Sequence, residues 1–426
     1  MTSTPAQTIT PASTTAPLSA AESDPVKLGW MVGSPPPADK VVRFSDGSQF
    51  RFPQTRWAFA NSRQMVATRN VWRGDGPISV LPRAERDDID AVKFVPTGSE
   101  MEMTWAGSLE ANYTDAIVVL HKGRIVHERY FGVMKPHQPH IAMSVTKSLF
   151  GTVGAMLVAE GKLDPDALVP HYIPELKGSA YGDASVRNVL DMRIGIKYSE
   201  NYASPDADIW RHARAGGVIP RPADYQGPQS FYDFLKTLEK EGEHGRGFFY
   251  KTVNADMVGW LICRATGEPA GDVFSSRIWQ KLGAEQDAYI AVDSVGNEFA
   301  GGGFNAALRD MARFGEMMRL DGRFNGHQIV PKAVVDDIRS NGSTEAFAVG
   351  GGFPTLPGWA YRAMWWVTNN EHGAYAARGI HGQAIYIDPK AEMVIARFAS
   401  HPLAANPNFD PTTLPAFHAL AKHLMA

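Results

Sequence analysis

Ser144 and Lys147, three positions apart in Ser144-Val145-Thr146-Lys147, are the pair in this sequence best suited to covalent chemistry. A serine hydroxyl is a weak nucleophile at neutral pH and needs a neighbouring base. Lysine serves as that base only when burial or a nearby cation lowers its pKa. The flanking Ile141, Met143, Leu149 and Phe150 are apolar and favour such burial. On a helix, positions three apart share a face, so the hydroxyl and the amine can meet. A place at the helix N-terminus also favours negative charge developing on Ser144. The chemistry expected is acyl transfer, with Ser144 attacking an ester or amide carbonyl and Lys147 helping to remove its proton. Two fixed residues in four are a weak signal alone; their position gives them weight.

That position is the head of a strongly apolar helical pattern, SVTKSLFGTVGAMLVAEG, in which Leu149, Val153, Met156 and Leu157 recur at helical spacing and Gly161 closes the helix. A hairpin precedes it: the apolar run Ala116–Leu120, a turn at His121-Lys122-Gly123, and an alternating run Arg124–Tyr130. Regular order is expected to begin near Asp115, after an irregular stretch at Ser34–Pro37 and a short extended one at Phe50–Pro53. Residues 162–285 carry helical patterns at Ser185–Met192, Ser230–Lys240, Asn254–Thr266 and Val273–Lys281, with no convincing strand. Arg309–Leu320 is a further helix. Alternation returns at Met364–Val367, Ala384–Ile387 and Met393–Phe398, the last two flanking an Asp388-Pro389-Lys390 turn, and an amphipathic helix ends the chain at about 412–425.

Strands at both ends with helices between predict an α/β (α+β) fold, an antiparallel sheet flanked by helices and interrupted by an all-helical domain. The domain boundaries read as an N-terminal tail over 1–26, an α/β domain over 27–160 and 286–426, and a helical domain over 161–285. The tail is rich in Thr, Ser, Ala and Pro and is expected to be mobile or extended over the surface. With 426 residues, 44% of them hydrophobic and 20% charged, the chain is long enough for a large core. The 42 Lys+Arg against 45 Asp+Glu leave a net charge of −3, which argues against nucleic acid as a partner. The single cysteine, Cys263, allows no intrachain disulfide and lies in an apolar stretch that favours a buried thiol. Neither a secretion signal nor a membrane span is evident, so a cytoplasmic location without membrane attachment is expected. Monomer and homodimer both stay open.

S-x-x-K is the nucleophile motif of penicillin-recognising enzymes, and further stretches resemble the serine β-lactamase and DD-peptidase superfamily, its class C-like branch in particular. Glu160-Gly161-Lys162-Leu163-Asp164-Pro165, His171-Tyr172-Ile173-Pro174-Glu175-Leu176 and Val189–Ile196 are similar to segments of that branch. Within it, the resemblance is to the 6-aminohexanoate-dimer (nylon-oligomer) hydrolases and their carboxylesterase relatives. Met143–Leu149, Gly379-Ile380-His381-Gly382-Gln383, Met364–Trp366 and Arg56–Ala60 carry it, and it runs from about residue 54 to beyond 400. It implies a β-lactamase/transpeptidase-like fold and no cofactor or metal. Tyr250, in Tyr250-Lys251-Thr252, would be a phenol lowered in pKa by lysine neighbours, sharing the base role and returning a proton to the leaving group. Thr252 stands where relatives have Asn or Ser, and its hydroxyl would bond the lysine. The backbone N–H groups of Ile380 and Ser144 would form the oxyanion hole. Tyr202 would close over the substrate, and the substrate-holding carboxylate of good dimer hydrolases would fall near Ala213, where none stands. The Lys-Thr-Gly triplet of efficient β-lactam recognition is replaced by Ala377-Arg378-Gly379, and Lys251-Thr252 is a decoy for it.

His381 is read either as an aid to catalysis or as a structural hydrogen-bonding group beside the strand. His137 and His140 read as a polar loop rather than a metal pair. Gly301–Gly303 and Gly350–Gly352 lack the context of phosphate loops and are expected to let backbone pass close to the active site. The leading expectation is a serine hydrolase acting through an acyl-enzyme on small esters or linear amides. The alternatives are a catalytically silent β-lactam-type sensor, which the Lys147–Tyr250 pairing disfavours, and a D-aminoacyl peptidase.

Overall fold

The computed structural model describes residues 16–350 and 353–426. Its centre is a seven-stranded antiparallel sheet. In chain order the elements that matter here are β1 (Thr114–His121), β2 (Arg124–Tyr130), α1 (Val145–Ala159), α2 (Asp208–Ala215), α3 (Val253–Thr266), α4 (Leu308–Arg319), β3 (Ala360–Arg362), β4 (Trp365–Val367), β5 (Tyr375–Gly379), β6 (Gln383–Asp388), β7 (Met393–Ala399) and α5 (Asp410–Met425). The strand order is β3-β4-β5-β6-β7-β1-β2, so the chain's last strand pairs with the first of the hairpin and closes the sheet across the intervening residues.

Successive side chains on a strand point to opposite faces. Ala116, Val118 and Leu120 of β1 enter one core with Leu149, Val153 and Phe314, while Ile117 and Val119 enter another with Trp105, Phe417 and Leu420. Both faces of β1 are therefore buried, which is why its sequence is a continuous apolar run rather than a simple alternation. Helices α1 and α4 cover the first face; α5 and the short helix Trp105–Ala111 cover the second. The result is a three-layer arrangement, helices on both sides of an antiparallel sheet.

Between α1 and Ala288 the chain is helical, with isolated bridges at Leu168–Ser185 and Ile196–Lys240 but no strand. Helix α3 packs directly on α1, and Gly161 ends the α1 turn with φ 71°. A second, four-stranded sheet ties the parts together: Thr68–Val71, Ala288–Ala291, Phe304–Ala306 and His140–Ile141.

Several expectations need correction. Regular structure begins well before Asp115, with a helix at Thr55–Ala58, the strand Thr68–Val71 and the helix Trp105–Ala111. Phe50–Pro53 is not extended but leaves a 3-10 turn (Ser48–Phe50) into further turns. The helix read at Val273–Lys281 divides into Ala270–Arg277 and a 3-10 turn at Trp279–Lys281. Of the tail, residues 1–15 lie outside the described residues. Residues 19–31 form turns rather than an extended or mobile run: Arg56 Nη1 donates to the Ala20 carbonyl (3.1 Å) and to the buried Ser23 Oγ (3.2 Å), pinning the segment. No helix among the described residues is long and apolar enough to cross a membrane.

Candidate active site

The nucleophile position is built by a tight turn. His140–Ile141 pairs with Asn305–Ala306, and the Ala142 N–H donates to the Phe304 carbonyl. Met143 then takes a left-handed conformation (φ 46°), and its carbonyl accepts from both the N–H and the hydroxyl of Thr146. Positive φ at a side-chain-bearing residue costs free energy and persists where the surroundings enforce it. Here it swings Ser144 to the mouth of α1, with φ −68° and only 7% of its surface exposed.

One turn on, Lys147 is 1% exposed. Its Nζ lies 2.7 Å from Ser144 Oγ and also donates to the Gly301 carbonyl. Burial pushes the Lys147 ammonium down to about 8, against the opposing fields of Glu200 and Asp256. The Tyr250 ring lies over the same amine, its centroid 5.2 Å from Nζ, and its phenol is a hydrogen-bonding neighbour of Ser144. The structure thus brings Ser144, Lys147 and Tyr250 together from α1 and the segment before α3.

Tyr250 departs from expectation in one respect. Its pKa is raised, not lowered: burial is the main cause, and the Glu200 carboxylate adds to it, outweighing the hydrogen bond to Ser144. The phenol is therefore protonated at neutral pH. Thr252 also departs. The Lys147 partners are Ser144 and Gly301; Thr252 instead offers its backbone N–H to Glu200, and its side chain is a neighbour of Tyr202. Lys251 donates to the Ile196 carbonyl, in keeping with its reading as a decoy.

Gly379, the last residue of β5, comes so close to the nucleophile turn that a Cβ there would lie 2.8 Å from the Ala142 carbonyl oxygen and 2.9 Å from the Ser144 nitrogen. The following residue, Ile380, lines the same cavity as Ser144, and neither backbone N–H donates to an acceptor among the described residues. His381 has φ 59°, and its Nδ1 donates to the His401 carbonyl (2.7 Å). Burial pushes its pKa down to about 4, so it is neutral, packed edge-on against Phe59. Arg378, at the position of the replaced triplet, pairs with Asp410.

Ser144 opens into a cavity of about 530 Å³. Its walls are largely apolar, including Phe59, Ile141, Ile209, Trp210, Val218 and Phe299, and Tyr202, Thr252, His381 and Ala213 also line it. Among the described residues no Lys or Arg forms its lining, and Glu200 is the one acid there. The Glu200 carboxylate accepts from Tyr202 Oη (3.1 Å) and from the Thr252 N–H.

Sequence reasoning missed three contributors. Glu200 stood between two tyrosines and was passed over in favour of Tyr202. Gly301 was expected to let backbone pass near the site, but not to hold the lysine. Asp256 is fully buried on α3; its Oδ1 accepts the Gly301 N–H (2.8 Å), and its Oδ2 lies 2.9 Å from Nε2 of the buried His212 on α2. The available signal was an acid within the apolar α3 pattern. Of the Gly350–Gly352 run, Gly351 and Gly352 lie outside the described residues. Cys263 is only half-buried, and burial raises its thiol pKa, which leaves it a poor nucleophile.

A helical insertion in an antiparallel sheet, with Ser-x-x-Lys at the head of α1 and a tyrosine over the lysine, defines the class of serine hydrolases with the β-lactamase/transpeptidase-like fold. The chain belongs to the beta-lactamase family, whose sequence profile matches residues 108–414. Among individual proteins, it is 37% identical to the 6-aminohexanoate-dimer hydrolase of Paenarthrobacter ureafaciens over 351 residues, 82% of this chain and 86% of that one. A solved Bacillus anthracis structure described as a 6-aminohexanoate-dimer hydrolase superposes with a TM-score of 0.83 at 30% identity, over 92% of this chain and 99% of the other. EstCE1, a hydrolase with promiscuous acyltransferase activity, shares the fold at 14% identity (TM-score 0.56; 72% and 97% covered).

Proposed function

We propose that this chain hydrolyses small esters and linear amides through an acyl ester on Ser144, with Lys147 as the general base. The observation that carries the reading is the buried amine 2.7 Å from the serine hydroxyl. With its pKa down at about 8, a usable fraction of Lys147 is the free base near neutral pH. Ser144 Oγ gives its proton to Nζ as it attacks the carbonyl carbon. The N–H groups of Ser144 and Ile380 receive the oxyanion, in a place where both are without other partners among the described residues. The tetrahedral intermediate collapses as the leaving group takes a proton from Tyr250, which the Lys147 ammonium replaces. Tyr250 suits a donor because burial keeps its phenol protonated. Water then attacks the acyl ester, gives its proton to the same relay, and releases the acid and Ser144.

The cavity supports the substrate class. Its size and apolar walls fit an aliphatic acyl chain or leaving group. With Glu200 as its acid and no lining cation, a substrate carrying an amine is favoured over one carrying a carboxylate. This disfavours β-lactams, whose carboxylate finds no counter-charge while Arg378 is engaged by Asp410. Of the linear dimer named for the relatives, the amine end has Glu200 in reach of the cavity, though nothing charged stands at Ala213. Tyr202, Thr252 and His381 are proposed as substrate-contacting walls. A cytoplasmic location, consistent with a fold that needs no disulfide, belongs to the same proposal.

Mass spectrometry after mixing with p-nitrophenyl acetate should find an acetyl adduct on Ser144, and a screen of short esters, linear amides and nitrocefin should show turnover of the first two. Turnover by the Ser144→Ala protein at the wild-type rate overturns the proposal.

A further inference from the structure

At the opposite end of β5 from Ile380, three side chains converge that the hydrolytic chemistry does not use. Glu371 and His372 sit in the loop between β4 and β5, and His418 lies on α5; one nitrogen or oxygen of each lies within 4.8 Å of the others. We propose that Glu371, His372 and His418 bind a divalent transition-metal ion.

His372 is prepared for the role. Its Nδ1 lies 2.7 Å from Asp388 Oδ2, and Asp388 is fully buried and fixed in turn by the Ala391 N–H (2.9 Å). A carboxylate on one ring nitrogen sets the tautomer and the ring orientation, leaving the lone pair on Nε2. Among the described residues the hydrogen bond of the His372 ring is the one at Nδ1, and the side chain is only 3% exposed. The loop that carries His372 is also pinned, since Asn370 Oδ1 accepts from the N–H groups of His372 (3.1 Å) and Ala374 (3.0 Å).

His418 supplies the second imidazole from a helix, and its ring centroid lies 4.9 Å from that of His372. Glu371 Oε1 is 3.2 Å from His418 Nε2. Two ligands of a tetrahedral ion with bonds near 2.0–2.1 Å stand about 3.4 Å apart, so this pair already has the spacing of common ligands. Closing the set from within 4.8 Å to ligand spacing requires a movement of about 1 Å. Two imidazoles and a carboxylate suit Zn²⁺, Co²⁺, Ni²⁺ or Cu²⁺ rather than Mg²⁺ or Ca²⁺. At about 3.3 Å per strand residue the site lies on the order of 20 Å from Ile380, so its role is structural and separate from hydrolysis. Glu371 and His372 are neighbours in the chain, but His418 is more than forty residues away, so no local motif announces the set.

The test is calorimetric titration of the full chain, free of any added histidine tag, with ZnCl₂. One equivalent should bind per chain. The His418→Ala protein should bind at least about tenfold more weakly, and Glu371→Gln, at an exposed position that leaves folding intact, should also weaken binding. Absence of stoichiometric uptake, or uptake that both variants leave unchanged, overturns the site and would mark Glu371–His418 as an ordinary surface ion pair.

Discussion

The lowered pKa of Lys147 makes a quantitative demand on the pH profile. At an ordinary lysine pKa of 10.5, only about 0.03% of the side chain is free base at pH 7; at about 8, the fraction is about a tenth. Burial therefore raises the concentration of reactive base about 300-fold at pH 7. The sign follows directly: the active form is deprotonated, so kcat/KM for p-nitrophenyl acetate should rise about tenfold from pH 7 to 9, half-maximal near 8. The raised Tyr250 pKa removes any fall from phenol ionisation over that range. The assay is initial rate against pH, with Ser144→Ala as the blank for spontaneous ester hydrolysis. Glu200 provides an internal control. Its charge opposes the effect of burial on Lys147, so Glu200→Gln should move the rise to lower pH by about one unit and increase the pH 7 rate several-fold. A profile flat between pH 6 and 9, or one that Glu200→Gln shifts to higher pH, would refute lysine as the base.

Two further perturbations read separate parts of the site. Gly379→Ala has no backbone strain to contend with, since φ is −129°, but its Cβ would press on the Ala142 carbonyl and the Ser144 N–H; kcat should fall about 10²-fold with little change in KM. Lys147→Met should abolish turnover yet raise the melting temperature by a few degrees at pH 7, where the wild-type protein holds a buried, mostly charged amine. Because the folded pKa lies below the unfolded one, the wild type should recover stability as pH rises from about 8 toward 10.5, so the advantage of the variant should shrink there; an advantage independent of pH would contradict the cause given.

Elements whose own residues decide their structure were the legible ones. Ala116–Leu120 could be read as a strand because β-branched residues crowd a run buried on both faces, and α1 because its apolar spacing and terminal Gly161 agree. Thr68–Val71 could not: three of its four residues are polar, and it is a strand because Ala288–Ala291 offers a ladder. Helix α2 was missed because Arg211, His212 and Arg214 obscure its apolar side, which turns His212 and Ala213 inward. Ser144, Lys147 and Tyr250 were picked out by type and by resemblance. The direction of the Tyr250 shift was not, because it depends on how deeply the fold buries the phenol and, to a lesser degree, on a carboxylate more than forty residues away.

That dependence bears on what the helical insertion is for. The Lys147 amine has two partners, and one of them, the Gly301 carbonyl, belongs to a segment with no side chain to anchor it. The anchor is Asp256, which takes the Gly301 N–H and is itself backed by His212, whose Nδ1 meets Tyr198 Oη at 3.3 Å. All three residues are buried; Asp256 and His212 come from the inserted helices and Tyr198 from the segment that leads into α2. A buried acid with no partner would be costly, and the Gly301 N–H is the hydrogen-bond donor that the Asp256 side chain has among the described residues. The insertion therefore does more than roof the cavity. Through Gly301 it fixes where the amine sits relative to Ser144, and through Asp256 and Glu200 it supplies the negative charge that keeps the Lys147 pKa from falling further than about 8. Asp256 thus bears on both the geometry and the basicity of the base, whereas Glu200 bears on its basicity.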